Sequence, residues 1–508
     1  MKTLIVIPRH FENPERSYPF PLGAAFVHAS IVARGHAVDI LDLNRQVGDP
    51  GELVADHVRR LGSQVVMAGG LTQQYHKLRQ IFDAARGADP AIVTVGGGGG
   101  YAATPALFAE MTGVDYACIG EAEHVAAELL DALRDRRSPE GIYGLVIKSG
   151  GKWDSGLGSA QVKELDSLPS PDYEAFGIEE YLRRQFANDF YPMYVDDSPG
   201  NLPMTLARSC PYKCTFCHMA NAGTYRARSL DHFFADLDRI LARHPVRTLS
   251  IYDELFASNA RKLRAFCERI APYKLKWVVQ LRVDIITPEL LETLREAGCF
   301  YISFGLESIS PRILTSMRKR ITREEIEKAL DLTYRAGIGI QGNFIFGDPN
   351  ETWETFEETI AWWKRHRHYQ INLGMVIPLP GTVLFDKALA QGRIADTRSY
   401  IEAGCPAVNL MDLPDADFEE MRRIIRTLQA DNPYTGRVLE LERASGNVYR
   451  AQLECSHCKS RHVFERLYLD PALPRLRQRI GCRSCNARSL YEFAPRAGAA
   501  ALAGAMQP

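Results

Sequence analysis

The sequence predicts an α/β protein with two consecutive parallel sheets and a small metal-binding segment near its carboxyl end. Three observations carry this prediction. Short apolar strands alternate with helical stretches over residues 1–150, the alternation resumes after residue 201, and two Cys-x-x-Cys pairs follow near the end. Such alternation produces parallel sheets because each helix returns the chain to the edge where the next strand begins. A chain of 508 residues also exceeds one ordinary core, so we expect two large domains and a small third.

Composition excludes several broad classes of protein. The 61 Lys and Arg nearly balance the 62 Asp and Glu, and a net charge of −1 gives no support to bulk binding of nucleic acid or a membrane surface. We see no apolar run of the ~18 residues that span a bilayer. Most of the 11 cysteines form clusters at 210–217 and 455–485. Clustered cysteines without a secretory signal indicate metal sites in a reducing compartment, so we expect a cytoplasmic protein.

Residues 1–150 predict a Rossmann-like, doubly wound parallel sheet. We expect its strands at Thr3–Ile7, Ala37–Leu41, Val65–Ala68, Ile92–Val95 and Tyr116–Ile119. We expect its helices at Leu22–Arg34, Leu53–Leu61, Tyr75–Arg86, Pro105–Met111 and Glu123–Arg134. A sheet of this kind binds ligands beyond the carboxyl ends of its strands.

Glycine-rich loops follow the strands of this predicted sheet. The five glycines Gly96–Gly100 follow the fourth strand, and Gly120 and Glu121 follow the fifth. Glycines lack side chains and therefore allow a large flat ligand to lie against the backbone. The loop Gly69–His76 and the segment Tyr18–Ala24 lie next to the third strand and the first helix. We expect a ligand site at this edge of the sheet.

The most specific motif is a three-cysteine loop just after the second alternation begins. Cys210, Cys214 and Cys217 are spaced by four and three residues, with Tyr212 and Phe216 between them. Three thiolates on one short loop can hold three irons of a four-iron four-sulfur cluster, which leaves the fourth iron open for a small molecule. No fourth cysteine follows nearby in the sequence. The alternatives are a zinc knuckle and a chance cluster of thiols.

The loop resembles the signature of the radical S-adenosylmethionine (SAM) superfamily, whose open iron binds the amino and carboxylate groups of SAM. The resemblance implies that the three cysteines carry the catalytic cluster and that Tyr212 and Phe216 lie beside SAM. A reduced cluster in this family cleaves SAM to methionine and a 5′-deoxyadenosyl radical. That radical takes a hydrogen atom from an unactivated C–H bond, which the protein must hold nearby.

The resemblance extends over residues 201–385, where six strand–helix units predict a partial, open (β/α)6 barrel. We expect its strands at Met204–Ala207, Thr248–Tyr252, Trp277–Leu281, Tyr301–Phe304, Gly339–Phe346 and Ile371–Ile377. In barrels of this kind, the active site lies at the carboxyl ends of the strands. By resemblance, the SAM contacts there are Asp253, Glu254, Glu307, Ser308, Gln341, Phe344 and Pro378. Arg282 is expected to pair either with an anion of SAM or substrate or with a structural carboxylate.

The first domain resembles the cobalamin-binding domain that precedes many radical SAM domains. The resemblance implies cobalamin contacts from Leu22, Gly23, Gly70, Leu71, Thr72, Gln73, Gly97, Gly98, Gly99, Gly120 and Glu121. The Asp-x-His-x-x-Gly motif, which supplies a histidine to cobalt in many cobalamin proteins, is absent from the sequence. Related radical SAM enzymes commonly bind cobalamin with no protein ligand to cobalt, and we expect His76 to be an exposed residue that opens a helix. The alternative is a sheet that has kept the fold and lost cobalamin.

The remaining segments predict a linker at 151–200, helices at 386–445, a zinc-ribbon-like module at 446–495 and a disordered tail at 496–508. A β-hairpin is expected at the start of the linker, within 141–165. Two Cys-x-x-Cys pairs at this separation are typical of a closed site of four thiolates that binds zinc. The same ligands also serve an auxiliary iron–sulfur cluster, which is the alternative. The four thiols are those of Cys455, Cys458, Cys482 and Cys485.

Together, the resemblances imply a cobalamin-dependent radical SAM enzyme similar to the class B methyltransferases. Such an enzyme methylates an unactivated carbon of a small molecule or peptide from methylcobalamin and consumes two SAM molecules per methyl group. A reductant such as flavodoxin or ferredoxin is expected as partner, whereas a membrane or nucleic acid is not. The alternatives are radical cyclisation or rearrangement, RNA modification guided by the ribbon, and a first domain that binds protein or substrate without corrin. A methylthiotransferase is excluded because its second cluster would need more than Cys118 in the first domain.

Overall fold

The structure is a computed structural model. It describes residues 1–11, 18–154, 158–188, 196–218, 223–257, 259–431, 434–470 and 477–493. The tail predicted at 496–508 lies outside the described residues. In the part of the chain that is described, no helix combines the length and the apolar character needed to cross a membrane.

The first sheet confirms the doubly wound prediction. Its strands are β1 (Lys2–Ile7), β2 (Ala37–Asp42), β3 (Val65–Gly69), β4 (Val93–Gly97), β5 (Tyr116–Cys118), β6 (Leu145–Ser149) and β7 (Lys152–Asp154). They are ordered β2-β1-β3-β4-β5-β6-β7, and the first five in this order are mutually parallel. The predicted hairpin is β6–β7, and it extends the sheet in antiparallel pairing at the β5 edge.

Helices cover both faces of the first sheet. They are α1 (Leu22–Ala33), α2 (Pro50–Leu61), α3 (Tyr75–Ala88), α4 (Gly99–Ala103), α5 (Pro105–Thr112) and α6 (Ala122–Arg134). Alternate residues of β1 separate the two layers, because Ile5 packs in the core formed with α1 and α6, whereas Leu4 packs in the core formed with α2, α3 and α5. The fourth predicted helix, Pro105–Met111, is α5, and the last two residues of the glycine run, Gly99 and Gly100, begin the short helix α4.

The second sheet contains six parallel strands in sequential order, β15-β14-β13-β12-β11-β8. Its strands, with one short side hairpin, are β8 (Asn201–Met204), β9 (Ala207–Arg208), β10 (Arg226–Ala227), β11 (Thr248–Ile251), β12 (Lys276–Leu281), β13 (Cys299–Glu307), β14 (Gly339–Phe346) and β15 (Asn372–Met375). The first strand was expected at 204–207 and instead ends at Met204. The chain leaves the sheet there because the Asp253 carboxylate accepts the N–H groups of Leu206 and Ala207.

Helices pack on one face of the second sheet and leave the other face more open. The helices that follow the first domain are α7 (Ile178–Arg183), α8 (Leu230–Leu241), α9 (Ala260–Ile270), α10 (Pro288–Glu296), α11 (Pro311–Ser316), α12 (Arg323–Arg335), α13 (Trp353–Arg365), α14 (Val383–Ala390), α15 (Thr397–Glu402) and α16 (Asp415–Ala430). Among them, α14 and α15 pack instead in the core formed with α2, α3 and α5, through Phe385 and Ile401. Trp277, Phe304 and Phe344 are buried on the helix side. Their strand neighbours Ser303 and Asn343, which point the opposite way, are less buried.

The carboxyl-terminal module is made of strands, which corrects part of the sequence prediction. Its strands are β16 (Arg437–Ser445), β17 (Val448–Glu454), β18 (Arg461–Tyr468), β19 (Arg477–Gly481) and β20 (Arg488–Glu492). Residues 437–445 were expected to be helical and instead form β16, because they pair antiparallel with β17 and place Val438 and Leu441 on the core of the module. Helices occupy the preceding residues, up to Ala430, as expected.

The module sits at the amino ends of the second sheet. The Asn486 side chain donates to the Gly337 carbonyl just before β14, at 3.0 Å. The buried Arg488 places its guanidinium over the Tyr301 ring of β13, 5.6 Å from the ring centroid. Arg479 donates to the Asn372 side chain at the start of β15. The opposite, carboxyl edge of the sheet therefore remains for the cysteine loop.

Candidate active site

A cavity of about 640 Å³ lies between the two sheets. The carboxyl ends of β1, β3, β4 and β5 and the start of α1 form most of its wall. Thr205, Arg208 and Tyr252 of the second domain complete the wall, and Arg208 lies two residues before Cys210. The cavity is therefore bounded on one side by the segment that leads into the three-cysteine loop.

Two glycines leave space in this cavity that a side chain would fill. A Cβ atom built on Gly23 or Gly97 meets nothing within 4 Å. The neighbouring Gly96 is glycine for another reason, because its Cβ would lie 2.2 Å from Cζ of the buried Tyr101. Gly98 has φ +90° and its Cβ would lie 2.8 Å from the Gly70 carbonyl oxygen. The open backbone at two positions and the apolar wall fit a large, flat, partly apolar ligand such as a corrin.

The structure divides the predicted cobalamin contacts into two groups. Six of them line the cavity, and these are Leu22, Gly23, Gly97, Gly98, Gly120 and Glu121. The other five do not line it, and these are Gly70, Leu71, Thr72, Gln73 and Gly99. The Gly70 N–H donates to the Gly97 carbonyl at 3.1 Å, and the Gly70 carbonyl accepts from the Gly100 N–H at 3.0 Å. The loop after β3 is thus held against the glycine run. Gly69 and Gln74, which flank the predicted contacts of this loop, line the cavity instead.

The prediction for His76 is confirmed. Its exposed side chain opens α3, and Nε2 lies 2.9 Å from the Glu402 carbonyl at the end of α15. The residue does not line the cavity.

A partly buried network of ion pairs joins the two domains beside the cavity. Arg226 of β10 donates to both carboxylate oxygens of Glu121, at 2.9 and 2.7 Å. Arg208 donates to Glu123 at 2.6 Å. Burial alone would raise the pKa of Glu121, but hydrogen bonds from Arg226 and the Val162 N–H lower it below its ordinary value. The Glu121 side chain therefore lines the cavity while its charge is neutralised by the second domain.

The three-cysteine loop is anchored to two other segments. The Thr215 N–H donates to the Met317 carbonyl at 3.1 Å, and the Thr215 carbonyl accepts from the Leu384 N–H at 3.2 Å. Cys214 is buried, with Sγ 4.0 Å from the Arg318 carbonyl oxygen. Ser209, which precedes the loop, has φ +67° and turns the chain out of β9. The cysteine ligands are thus carried on a loop fixed by its neighbours.

A buried ion pair and a stacked arginine lie beside this loop. Lys319 donates to Glu307 at 2.7 Å, and both side chains are nearly buried. Burial raises the pKa of the Cys214 thiol, and the positive charge of Lys319 acts in the opposite direction. Arg282 lies over the Tyr212 ring at 3.7 Å and pairs with Asp284 at 3.0 Å. Of the two expectations for Arg282, the structure shows the structural ion pair.

Asp253 supports the backbone that leads to the cysteine loop. It accepts hydrogen bonds from Thr205 Oγ1 at 2.6 Å and from the N–H groups of Leu206 and Ala207, both at 2.9 Å. Burial raises the pKa of Asp253 to about 7. Glu254, its predicted partner, is exposed. Both oxygens of Asp253 are engaged within the protein, whereas the adjacent Tyr252 lines the cavity.

The remaining predicted SAM contacts do not share one surface. Phe344 is completely buried against Trp362 of α13, with ring centroids 5.6 Å apart, on the helix side of the sheet. Gln341 lies three residues earlier in the strand and faces the opposite, more open side. The Ser308 hydroxyl accepts from the Ser310 N–H at 3.1 Å. Pro378 is buried in the turn after β15. Gln341 and Phe344 are three residues apart, and an odd separation within one strand places two side chains on opposite faces of the sheet. The sequence alone therefore already excludes a shared face for these two residues.

The four cysteines of the carboxyl-terminal module converge. Their sulfur atoms all lie within 4.8 Å of one another, and no other group of metal-ligating side chains among the described residues converges in this way. The sulfurs of Cys455 and Cys485 are 3.8 Å apart, and those of Cys458 and Cys482 are 3.6 Å apart. Tetrahedral zinc with Zn–S distances of about 2.3 Å requires sulfurs about 3.8 Å apart. The thiol geometry fits one tetrahedral ion.

Sequence reasoning missed the residues that connect the two domains at the site. Arg208, Arg226 and Glu123 form the junction, and Thr205 and Tyr252 form the far wall of the cavity. Arg208 could have been noticed because it lies so close to Cys210. Arg226 is 105 residues from Glu121 and carries no local signal of this pairing.

Two known families match the chain in the order that the fold displays. The B12 binding domain matches residues 16–130, and the Radical SAM superfamily matches residues 204–362. The two matches meet at the cavity described above. The chain is a cobalamin-dependent radical SAM enzyme. The predicted cofactors of this enzyme are accordingly the four-iron four-sulfur cluster, SAM and cobalamin.

Several known proteins are similar to the enzyme over most of its length. An uncharacterized methyltransferase of Pyrococcus horikoshii is 27% identical over 402 residues, which cover 77% of the enzyme and 83% of the relative. The anaerobic magnesium-protoporphyrin IX monomethyl ester cyclase of Rubrivivax gelatinosus is 26% identical over 414 residues, which cover 79% and 72%. The fold resembles that of TsrM, a radical SAM methyltransferase from Kitasatospora setae solved with cobalamin and a [4Fe-4S] cluster. The TM-score is 0.61 at 18% identity, with 76% and 75% of the chains covered.

Proposed function

We propose that the enzyme transfers a methyl group from SAM to a carbon atom of a small molecule or peptide. The observation that carries this proposal is the shared cavity, whose wall combines the glycine-rich edge of the first sheet with Thr205, Arg208 and Tyr252. A methyl carrier in the cavity and a radical generated at the cysteine loop would then act on one substrate. The methyltransferases among the relatives support this function.

The residues present fit the cofactors that this reaction needs. Cys210, Cys214 and Cys217 would hold the iron–sulfur cluster, and the open backbone at Gly23 and Gly97 would receive the corrin. When bound, the reduced cluster and SAM supply a 5′-deoxyadenosyl radical, and cobalamin supplies the methyl group. The chain's own contribution is to position these groups and to exclude water from between them.

Lys319 and Glu307 have a defined part in this arrangement. The Lys319 ammonium places a buried positive charge near Cys214, which favours the thiolate that binds iron, whereas the Glu307 carboxylate acts in the opposite direction. A Cβ on Gly305 would lie 2.6 Å from Lys319 Nζ, so the glycine leaves room for the lysine to reach its position. We assign to the pair a positioning role for the cysteine loop, in place of the SAM contact expected of Glu307.

The carboxyl-terminal site is proposed to bind zinc in a structural role. Four thiolates close the coordination of a tetrahedral ion and leave no position for substrate. The N–H groups of His457 and Ser484 donate to the sulfurs of Cys455 and Cys482, both at 3.4 Å, as expected of a thiolate knuckle. The sulfur distances favour one ion over an auxiliary iron–sulfur cluster.

Radical cyclisation is the second candidate function. A specific observation favours it, because an anaerobic cyclase matches the enzyme nearly as well as the Pyrococcus horikoshii methyltransferase does. The two functions share the cysteine loop and the cavity, and they differ in whether a methyl group leaves SAM for the corrinoid.

The cellular setting follows from the same chemistry. We propose a cytoplasmic enzyme that receives electrons from a flavodoxin or ferredoxin, because thiolate metal sites persist under reducing conditions. All 11 cysteines are free thiols in the structure. The proposed substrates are a small molecule or a peptide.

The first test is metal analysis of protein purified without oxygen and supplied with cobalamin, followed by assay of SAM cleavage. The proposal requires iron, cobalt and zinc in the protein and release of 5′-deoxyadenosine under reducing conditions. SAM with an isotopically labelled methyl group then separates the two candidates. Label retained in the corrinoid fraction supports methyl transfer, whereas cleavage of SAM without such label supports cyclisation or rearrangement.

Replacement of Cys214 by alanine is the matched variant for this test. We expect it to abolish reductive SAM cleavage and to lower the iron content, while cobalt and zinc remain bound. Cys267→Ala is the control, because this buried thiol of α9 packs in the core away from the loop. Persistent SAM cleavage in Cys214→Ala would show that the cluster assignment is wrong.

A further inference from the structure

His10 is the one histidine among the described residues that line the interdomain cavity. It lies three residues after the end of β1, at the carboxyl edge of the first sheet, where the glycine-rich loops also lie. Its side chain is exposed, and the space to which it is exposed includes the cavity.

Hydrogen bonds hold the backbone of this segment in place. The His10 N–H donates to Asn44 Oδ1 at 2.6 Å, and Asn44 in turn donates to the Pro8 carbonyl at 3.1 Å. The neighbouring Arg9 is buried and donates to the Leu43 carbonyl at 3.1 Å. Lys77 donates to the Arg9 carbonyl at 2.7 Å. The backbone is therefore tied to the loop after β2 and to α3, while the side chain of His10 stays outside this network.

The imidazole is available as a nitrogen donor. No hydrogen bond joins it to another side chain or backbone group in the described part of the chain. Partial desolvation of the ring by the surrounding protein and the positive charge of Lys77 lower the pKa of His10, against the opposing charge of Asp42, which favours the neutral imidazole at neutral pH. Neutral imidazole is the form that binds metal ions.

The other side chains that could donate to a metal in the cavity are occupied or protonated. Glu121 and Glu123 are bound by Arg226 and Arg208. Burial raises the pKa of the Cys118 thiol to about 12, so the thiol remains protonated and is a poor ligand. His10 is the remaining nitrogen donor with a free lone pair among the described lining residues.

We propose that the imidazole of His10 coordinates the cobalt of a corrinoid bound in this cavity, from the side of the first sheet. The inference rests on the proposed binding of cobalamin and departs from the expectation of cobalt without a protein ligand. A histidine outside any Asp-x-His-x-x-Gly motif would then perform the ligand role of that motif. The tertiary structure places it at the cavity even though its local sequence gives no such signal.

Electron paramagnetic resonance of protein-bound cob(II)alamin tests this assignment directly. An axial nitrogen ligand splits each cobalt line, into three for ¹⁴N and into two for ¹⁵N, because the two nuclei differ in spin. We would reconstitute full-length protein made with ¹⁵N-histidine or with ordinary histidine. Two-line splitting in the labelled protein and three-line splitting in the unlabelled protein are expected. His10→Gln, which removes the ring and keeps a polar side chain, should lose the splitting from histidine.

His76→Ala is the matched control, because this exposed histidine lies outside the cavity lining, and it should leave the spectrum unchanged. Three-line splitting that persists in the ¹⁵N-labelled protein would assign the nitrogen to cobalamin's own base and overturn the proposal. Cobalt bound without nitrogen splitting would also overturn it, while the proposed function would stand. Failure of the wild-type protein to retain cobalt would instead overturn the binding of cobalamin and this inference with it.

Discussion

Asp253 shows how a single residue places the cysteine loop. Its carboxylate accepts two backbone N–H groups that a continuing strand would have paired, so β8 ends at Met204 and the chain turns toward the cysteines. The residue was expected to contact SAM. The structure instead gives it partners within its own domain, and its effect on the site is through the backbone.

Replacement of Asp253 by asparagine should therefore destabilise the protein and disturb the loop. The amide NH2 cannot accept the Ala207 N–H, so one buried donor is left unsatisfied, at a cost of about 1–3 kcal/mol in the free energy of unfolding. We expect this loss in urea denaturation, together with a lower iron content. Glu254→Gln is the control, because the exposed neighbour should change the stability by less than about 0.5 kcal/mol. Equal effects of the two variants would contradict this role for Asp253.

The effect of this variant should depend on pH. Burial raises the pKa of Asp253 to about 7, so the folded protein holds a proton that the unfolded chain releases near pH 4. The contribution of Asp253 to the free energy of unfolding therefore falls as the pH rises from about 4 to about 7 and is constant above that. In urea denaturation, the difference in the free energy of unfolding between wild type and Asp253→Asn should narrow between pH 5 and pH 7. A difference that widens with pH would contradict the raised pKa.

At the scale of elements, the glycine run at the end of β4 contains two kinds of glycine position that the sequence does not distinguish. Gly96 and Gly100 are glycines because the Tyr101 and Phe108 rings occupy the space beside them. Gly97 lies between them and faces open cavity. The run therefore contains both packing positions and a ligand-facing position.

Two alanine variants should separate these positions. Gly96→Ala places a methyl group 2.2 Å from Cζ of Tyr101, whose hydroxyl lies 2.9 Å from the Thr112 hydroxyl, and overpacking of this kind costs about 1–3 kcal/mol. Gly97→Ala should leave the free energy of unfolding within about 0.5 kcal/mol of wild type. Its methyl group should weaken cobalamin binding about tenfold, which corresponds to about 1.4 kcal/mol. Denaturation and a cobalamin titration followed by absorbance measure both effects.

A stable Gly96→Ala variant, or a Gly97→Ala variant with unchanged cobalamin affinity, would contradict the assignment of these positions. The pair is informative because the two variants add the same group at adjacent residues.

At the scale of the whole molecule, charges fix the two domains against each other. Arg226 and Arg208 of the second domain pair with Glu121 and Glu123 of the first, and the four side chains are largely buried. A second contact, between Arg398 of α15 and Glu110 of α5, also joins the domains but is exposed. Removal of one partner lowers the free energy of unfolding much more for a buried ion pair than for an exposed one.

Arg226→Ala should loosen the domain junction. The change leaves the Glu121 carboxylate buried without its bidentate partner, which costs about 3–5 kcal/mol. We expect faster proteolysis between the domains and weaker cobalamin binding. Arg398→Ala is the matched control, and loss of its exposed pair should cost about 0–1 kcal/mol. Similar proteolysis rates for the two variants would show that the buried network does not hold the domains together.

Most of the elements were predictable because their patterns are local. The five parallel strands of the first sheet follow from apolar runs separated by helical periodicity, and the thiol spacing at 210–217 and 455–485 is visible in the chain itself. The errors have local causes as well. Residues 437–445 became a strand through pairing with β17, and Phe344 was grouped with Gln341 although three residues separate them in a strand.

The sequence by itself determined the order of the two parallel sheets, the position of the cysteine loop and the set of four converging thiols. The tertiary structure alone decided which glycines face the cavity, that Arg226 meets Glu121, and that His10 rather than His76 lies in the cavity wall. The physical reason is the range of the interactions. Periodicity and ligand spacing act over a few neighbouring residues, whereas these contacts arise from how distant segments cross, and no local pattern encodes that crossing.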